Sequence, residues 1–261
     1  MNKRTLILAS FFYALLNFPA QANTEKCNSS HYDQKVTVKN VIDGDTVELS
    51  DGRHVRFIGI NTPENKYKNK PAEPFAGAIT DWLRKTIGEN EARLFLRFGE
   101  DQQDHYGRIL AHPFLPDGKN LTALLLQQGK GIRVGVPPNL DFQDCYFSAE
   151  ADAQIHKLGL WNIDYFNVRQ ASTLSKKETG FRRIQGRVSR IGESRRAYWL
   201  NLGKGFAIRL PKDKLKYFNT TPYDFNDKLI TLRGWVYYVD KRSELRVNLY
   251  HPNMIETIQS E

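Results

Sequence analysis

The stretch QKVTVKNVIDGDTVELSDGRHVRFIG (residues 34–59) predicts how the fold begins. In three segments of it, β-branched and other apolar residues alternate with polar ones, which is the period of half-buried strands. Asp51-Gly52, between the second and third segments, is a two-residue hairpin signal. We therefore expect three consecutive antiparallel strands, over residues 34–40, 45–50 and 54–59.

The pattern downstream predicts two domains. Helical spacing over 72–88, 121–128 and 148–158, with two further strands at 93–98 and 108–115, completes a mainly β fold with helices (α+β). A five-stranded OB-type barrel with three helices satisfies this order, and closure removes exposed strand edges. This first domain spans 23–170, a polar linker spans 171–180, and 181–261 repeats the strand pattern as a second, smaller OB-like barrel.

The first 22 residues have the pattern of a cleavable signal. A charged start is followed by an apolar run and by Pro19-Ala20-Gln21-Ala22, which fits a cleavage site after Ala22. The alternative is an uncleaved anchor, although the run is short for a bilayer span of about 20 residues. The mature protein is expected to be secreted or periplasmic, with no membrane association after cleavage.

Charge is unevenly divided along the mature chain. Residues 23–170 hold 18 Lys and Arg against 20 Asp and Glu, whereas residues 171–261 hold 18 against 9. Such an excess of positive charge points to a polyanionic partner, the alternative being a merely solvated surface.

The two cysteines, Cys27 and Cys145, are an even pair in a chain expected to be exported. That combination predicts a disulfide, and the alternative is two free buried thiols. Neither cysteine has companions at the spacing of zinc ligands, and none of the six histidines is interpreted as a ligand.

Three segments place acids and arginines beside glycine or proline turns: VIDGDTVEL (41–49), VRFIGINTPE (55–64) and DHYGRILA (104–111). Cleaving a phosphodiester requires fixed cations at oxygens that gain charge in the transition state, and arginines on separate strands supply them. It also requires a base, and a hard cation held by oxygens orients the water. The candidates are Arg56 and Arg108 as the cations, Glu64 as the base and Asp45 as a metal ligand. Taken singly, each segment is equally explained as an ordinary turn or an ion-pairing residue.

Together, in this order and spacing, the three segments resemble the staphylococcal nuclease (thermonuclease) family. The likeness runs from about Lys35 to Trp161 and includes LTALLLQQGKG (121–131) and KLGLW (157–161). It implies that the arginine pair and the glutamate named above are the family's catalytic trio.

The resemblance implies roles for five further positions. Asp45, Asn61 and Thr62 correspond to calcium ligands, the last through its backbone carbonyl. Asp43 corresponds to a nearby acid that does not itself contact the metal, and Tyr106 to a substrate-phosphate contact. Because the family has a carboxylate where this chain has Asn61, metal affinity should be lower, which leaves Mg²⁺ or Mn²⁺ as alternatives to Ca²⁺.

Aromatic residues are distributed differently from the family. Residues 134–136 (Val-Gly-Val) stand where the family has aromatics, so base stacking is not expected there. In the second domain, strand alternation puts Trp199, Arg233 and Trp235 on an exposed face. Aromatics interleaved with arginine suit single-stranded nucleic acid. The alternative is that both tryptophans bury against the first domain.

The sequence thus predicts an exported endonuclease that hydrolyses DNA, RNA or both with little sequence preference, by in-line attack of a metal-bound water. The resemblance implies cuts that leave 3′-phosphates. Nucleic acid, with single strands favoured, is the expected partner, and no protein partner is expected. One alternative is a nucleic-acid-binding protein that has lost turnover through Asn61. Another is a structural protein docked on an anionic surface, which would leave the acid–arginine cluster unexplained.

Overall fold

A computed structural model of the chain describes residues 27–66, 71–203 and 205–260. The signal segment predicted at residues 1–22 lies outside the described residues. Among the helices within these ranges, none is both long enough and apolar enough to span a membrane.

Five strands of the first domain close into a barrel. The strands of this domain, numbered along the chain, are β1 (Gln34–Val41), β2 (Thr46–Leu49), β3 (His54–Phe57), β4 (Ile60–Asn61), β5 (Arg93–Gln103), β6 (Ile109–Phe114) and β7 (Ile132–Arg133). The barrel order is β1-β2-β3-β6-β5, and the short strands β4 and β7 pair separately. This confirms the OB-type barrel predicted from the sequence.

Three helices pack against the barrel core: α1 (Ala76–Glu89), α2 (Leu121–Gln127) and α3 (Gln143–Ile155). The third begins five residues before the predicted start at Ser148. Its N-cap, Phe142, makes no side-chain capping hydrogen bond, so the sequence carries no start signal there. Ser148, which resembles a cap, lies inside the helix and donates its hydroxyl to the carbonyl oxygen of Asp144 at 3.0 Å.

The predicted disulfide between Cys27 and Cys145 is confirmed. Their Cα atoms lie 5.2 Å apart, and the bond ties the start of the described chain to the first turn of α3. Cys145 is buried in the barrel core.

The second domain is one sheet around its own core, and this sheet includes Arg169 and Gln170, which were predicted to end the first domain. Its strands are β8 (Arg169–Gln170), β9 (Gly180–Arg187), β10 (Arg190–Glu193), β11 (Ala197–Asn201), β12 (Phe206–Pro211), β13 (Leu229–Val239), β14 (Glu244–Asn248) and β15 (Ile255–Gln259). They pair in the order β10-β11-β12-β14-β13-β9-β8, with β15 also on β13. The hydrogen-bonded path described runs from β10 to β8 without closing, and it holds more strands than the five predicted.

One predicted strand, residues 183–191, is divided between β9 and β10. The chain changes partner at this point, because the N–H of Val188 donates to Lys228 O and the N–H of Ser189 donates to Asn201 O. The predicted helix at 212–218 is a 3-10 helix over Lys212–Tyr217.

Candidate active site

The loop between β1 and β2 carries two carboxylates, Asp43 and Asp45, on either side of a glycine. A Cβ at Gly44 would lie 2.6 Å from Ile79 Cγ2 and 2.7 Å from Thr62 Oγ1. Only glycine therefore lets this loop approach the chain at Thr62 so closely. The N–H of Asp45 donates to Asp43 Oδ1 at 2.9 Å, which fixes the turn.

Asp45 joins three segments of the site. The residue is buried, and its Oδ2 accepts from the N–H of Thr62 at 2.8 Å. The same oxygen pairs with Arg56 Nη2 at 3.0 Å, and Oδ1 accepts from Thr46 Oγ1 at 3.2 Å. These contacts hold the carboxylate in one orientation between β3 and the loop after β4.

Arg56 is held in the middle of the barrel wall. It lies opposite Thr46 on β2 and Leu110 on β6. Its Nη1 donates to the carbonyl oxygen of Phe57 at 2.7 Å, and only 14% of its side chain is exposed. A guanidinium fixed in this way is prepared for a planar, two-point contact with a phosphate.

Glu64 lies in the loop after β4, and its backbone is anchored to Glu73. The N–H of Glu64 donates to Glu73 Oε2 at 3.0 Å, and the N–H of Glu73 donates back to Glu64 O at 2.9 Å. Although the residue is exposed as a whole, partial burial of the carboxyl group, followed by the charge of Asp45, raises the pKa of Glu64. The positive charges of Arg56 and Arg108 act in the opposite direction. The carboxyl group of Glu64 is therefore within range of the charges of Asp45, Arg56 and Arg108.

The acids of this site repel one another. Burial, and then the charge of Asp45, raises the pKa of Asp43 to about 7. A bound cation would relieve this repulsion, and the oxygens next to Asp45 are of the hard type that Ca²⁺ and Mg²⁺ prefer. Asn61 and Thr62 are both buried there, and Asn61 Nδ2 lies 3.4 Å from Thr62 O.

The residues that could hold a metal are thus the Asp45 carboxylate, the Asn61 amide oxygen and the Thr62 carbonyl. No group of three or more His, Cys, Asp or Glu side chains suited to an ion occurs in the described parts of the chain. A site here must therefore use neutral oxygens in addition to carboxylate. The residues present fit that requirement.

The turn between β5 and β6 positions Arg108 through Asp104, which was not among the site residues predicted from the sequence. Asp104 Oδ2 accepts from Arg108 Nε at 2.8 Å and pairs with Nη2 at 2.8 Å, while Oδ1 accepts from the N–H groups of Tyr106 and Arg108. The Arg108 guanidinium lies 5.4 Å from the ring centre of Tyr106, whose side chain is exposed. The sequence did carry a signal for this contact, because Asp104 precedes Arg108 by four residues across a Tyr-Gly turn.

A cavity of about 310 Å³, which we call the active-site pocket, joins β3 and the β5–β6 turn to the second domain. The predicted base Glu64 and the candidate metal ligands Asp45, Asn61 and Thr62 are not among its lining residues. Both candidate arginines, Arg56 and Arg108, line it, as do Asp104 and His105. Its apolar wall includes Val136 and Pro138. Trp235, from strand β13 of the second domain, also lines this pocket.

Arg233, one of the substrate contacts predicted in the second domain, does not line the active-site pocket. It is 3% exposed, so its placement on an exposed face is wrong. Its Nη1 lies 2.7 Å from both carboxylate oxygens of Glu150 on α3, and its Nε donates to Glu256 Oε1 at 2.8 Å. Burial opposes the charged form, but the two carboxylates raise the pKa of Arg233. Arg233 is therefore part of the boundary between the domains.

The two tryptophans lie on the surface to different degrees. Trp235 is 42% exposed, with its ring 5.0 Å from that of Phe181, which is buried in the barrel core. Trp199 is half-buried and does not line the active-site pocket. The alternative in which both tryptophans are buried against the first domain is thus wrong for Trp235.

Comparison with known proteins identifies what the first domain is similar to. A family model described as staphylococcal nuclease homologue matches residues 54–163. That range includes Arg56, Glu64 and Arg108 but begins after the β1–β2 loop. No part of the match extends into the second domain.

Three relatives illustrate the likeness. A thermonuclease of Staphylococcus intermedius is 33% identical over 127 residues, which are 48% of this chain and 74% of the relative. A thermonuclease of Staphylococcus hyicus is 28% identical over 163 residues, 60% of this chain and 94% of the relative. The SPbeta prophage-derived endonuclease YokF of Bacillus subtilis is 30% identical over 157 residues, 55% of this chain and 52% of the relative.

Proposed function

Because this chain belongs to the staphylococcal nuclease family, we propose that it is an exported, metal-dependent endonuclease that hydrolyses DNA, RNA or both with little sequence specificity. Relatives named thermonuclease and endonuclease support a nuclease at the level of the family. The observation that carries the proposal for this chain is that Arg56 and Arg108 line one pocket, with Arg56 paired to Asp45 and the charges of all three acting on the Glu64 carboxyl group.

The two arginines bind the scissile phosphate and stabilise the charge that develops on its oxygens. Arg56 is fixed by Asp45 and Arg108 by Asp104, so neither needs to reorganise when the transition state forms. Contacts that strengthen in the transition state lower the barrier more than they tighten substrate binding.

Glu64 takes the proton from the attacking water. Its carboxyl group has a raised pKa, which makes it a stronger base than an ordinary glutamate. Its backbone contacts with Glu73 restrict the loop that carries it. In-line attack on phosphorus, with departure of the 5′ oxygen, would leave the 3′-phosphate that the family resemblance implies.

Asp45, Asn61 and Thr62 would hold the metal, with Ca²⁺ the first candidate and Mg²⁺ or Mn²⁺ the alternatives. When bound, such an ion neutralises phosphate charge and lowers the pKa of nearby water. Asp43 supports this arrangement by accepting from the N–H of Asp45. Tyr106, whose ring lies beside Arg108, would contact a neighbouring phosphate.

Two features support export and a nucleic-acid partner. The disulfide between Cys27 and Cys145 is of the kind found in oxidising compartments. The positive excess of residues 171–261 would attract a polyanion to a first domain that is itself slightly acidic. We propose a secreted or periplasmic protein whose signal is removed after Ala22.

The test is cleavage by the mature chain, starting at Asn23. It would be incubated with single- and double-stranded DNA and RNA in Ca²⁺, Mg²⁺, Mn²⁺ or a chelator. We expect single strands to be cut fastest and the chelator to abolish cleavage. Full activity in the chelator would contradict metal dependence. Binding without cleavage in every metal would instead favour the nucleic-acid-binding protein that the neutral Asn61 suggests.

A further inference from the structure

One face of strand β13 leads from the domain boundary to the active-site pocket. Alternate residues of a strand share a face, so Arg233, Trp235 and Tyr237 point to the same side of the sheet. Arg233 is buried against Glu150, and Trp235, two residues on, lines the pocket. Tyr237 is half-buried and is the next residue on this face beyond the pocket.

The same face continues across three more strands. Tyr237 lies opposite Arg246 on β14. Asn248, also on β14, lies opposite Arg209 on β12, and Arg209 lies opposite Trp199 on β11. We call this set the outer stripe: Trp235, Tyr237, Arg246, Asn248, Arg209 and Trp199.

Side-chain contacts show that the outer stripe is continuous. The hydroxyl of Tyr237 and Nη1 of Arg209 both donate to Asn248 Oδ1, each at 3.4 Å. The Arg246 guanidinium stacks 4.3 Å from the ring centre of Trp199. Beyond Trp235, every member is half-buried, so each presents part of its surface to solvent.

The outer stripe combines flat aromatic surfaces with unequal positive charges. Arg246 is paired with Glu244 at 2.6 Å, whereas no carboxylate in the described parts of the chain forms an ion pair with Arg209. Arg209, which forms no such ion pair among the described residues and lies opposite Trp199 on the neighbouring strand, is suited to contact a phosphate beside a stacked base.

We propose that the outer stripe is a binding track for single-stranded nucleic acid that continues the active-site pocket across the domain boundary. The proposal rests on the nuclease function above. A base next to the scissile phosphate stacks on Trp235, and the nucleic acid then runs across β13, β14, β12 and β11. From β13 to β11 there are three inter-strand spacings of about 4.8 Å, so the track is about 14 Å long in the direction across the sheet.

The domain boundary makes this arrangement rigid. Arg233 ties β13 to Glu150 of the first domain, and Trp235 is two residues away on the same strand. The ring of Trp235 also packs edge-to-face against the ring of Phe181. Trp235 is thus fixed relative to Arg56 and Arg108 and serves both domains.

The experiment compares variants of the full mature chain on substrates of increasing length. Binding of a fluorescent 20-nucleotide single strand and of the corresponding duplex is measured by anisotropy in a chelator, and cleavage of a dinucleotide and of the single-stranded 20-mer is measured with Ca²⁺. The track variants are Trp235→Ala, Tyr237→Ala and Arg209→Gln, with Trp235→Phe as the conservative replacement. One control is Tyr223→Ala, which removes an exposed aromatic ring outside the outer stripe. The other is Lys228→Gln, which removes a positive charge immediately before the first residue of β13, away from the outer stripe. Thermal melts confirm that each variant is folded.

We expect Trp235→Ala to raise the Kd for the single strand about 5- to 150-fold, the effect of losing one stacked base, and Trp235→Phe to restore most of the affinity. Arg209→Gln should lower the slope of log Kd against log salt by about 0.7, the value for one phosphate on a single strand. The ratio of kcat/KM for the 20-mer to that for the dinucleotide should fall about 10-fold in Arg209→Gln and Tyr237→Ala. Both controls should match the wild type.

Two results would overturn the track. One is an unchanged length ratio and unchanged Kd in folded track variants of an active enzyme. The other is an equal loss of affinity for duplex and single strand, which would mean that charge alone attracts the substrate. Failure of the nuclease function is a separate result, because it would appear as a wild type that cuts no substrate while the anisotropy comparison still reports on the track.

Discussion

At position 61 an amide stands where the family resemblance implies a carboxylate, and Asn61 is buried beside Asp45 and Thr62. We expect Asn61→Asp to tighten Ca²⁺ binding by about 10-fold or more, because ligand charge tunes such sites. Calorimetry measures the change. Asn226→Asp adds the same charge at an exposed position of the second domain and should leave Ca²⁺ binding unchanged. Equal affinities for wild type and Asn61→Asp would show that Asn61 is not a ligand.

A second residue, His112 on β6, links stability to pH. It is fully buried, its Nδ1 lies 2.7 Å from the Tyr146 hydroxyl, and its Nε2 has no hydrogen-bond partner among the described residues. Burial, together with the charge of Arg97, lowers the pKa of His112 from 6.5 to about 3. The unfolded chain therefore binds more protons between these pH values, so the free energy of unfolding falls as pH falls through that window.

Replacing this histidine should remove its share of the pH dependence. His112→Gln should flatten the dependence between about pH 6 and pH 4 by up to about 1.4 kcal/mol per pH unit, the value for one proton. Urea unfolding at a series of pH values measures it, whatever the stability of the variant at pH 7. Parallel curves for the two proteins would contradict the assignment of the proton to His112.

Three of the four main candidates could be selected from the sequence because each follows a short turn with its own residue signature. Asp45 follows a glycine, Glu64 a proline, and Arg108 a Tyr-Gly turn. Asp104 was missed because its role depends on how the hairpin folds its carboxylate back onto Arg108. No periodicity in the sequence encodes that contact.

At the level of elements, the β5–β6 hairpin makes Asp104 a positioning residue. Asp104→Asn keeps an oxygen for the two backbone N–H groups but weakens the hold on Arg108. We expect kcat to fall about 10-fold, which corresponds to about 1.4 kcal/mol in the barrier, without a rise in KM, because a negative charge near the phosphate is removed. The control is Asp117→Asn, which weakens a similar pairing with Lys119 in the next loop. An unchanged kcat would contradict a positioning role.

Element boundaries were predicted well where hydrophobic periodicity sets them and less well where tertiary pairing does. The barrel strands and α2 follow their apolar patterns closely. Strand β5 extends to Gln103, five residues past the predicted end, because after an irregularity beyond Phe98 it pairs again through Gln103 with Ile109, next to Arg108. The start of α3 is likewise set by packing and the disulfide at Cys145 rather than by a capping residue.

Across the whole molecule, the two domains are joined by buried charge. Arg233 contacts Glu150 and Glu256 while only 4% of its side chain is exposed, and Arg183 pairs with Glu256 from the adjacent strand. Strand alternation correctly placed Arg233 on the same face as Trp235. The sequence could not show that one half of this face is covered by α3, because docking depends on both domains together.

Breaking this cluster should destabilise the protein. Arg233→Met leaves Glu150 buried without its main partner and should lower the free energy of unfolding by about 3–5 kcal/mol, as measured by urea denaturation. Arg84→Met breaks an exposed pair with Asp81 on α1 and should cost no more than about 1 kcal/mol. Similar small losses in both variants would mean that the domains do not depend on each other through Arg233.

The most direct test of the catalytic assignment is a single-turnover comparison of the wild type with Glu64→Gln on a single-stranded oligonucleotide in Ca²⁺, at saturating protein. Glu89→Gln, which changes an exposed acid on α1, is the control for the loss of one charge. We expect the Glu64→Gln rate to fall by about 10²–10⁴ while the affinity for the strand barely changes and the control keeps the wild-type rate. A Glu64→Gln protein that cleaves as fast as the wild type would contradict the assignment of Glu64 as the base.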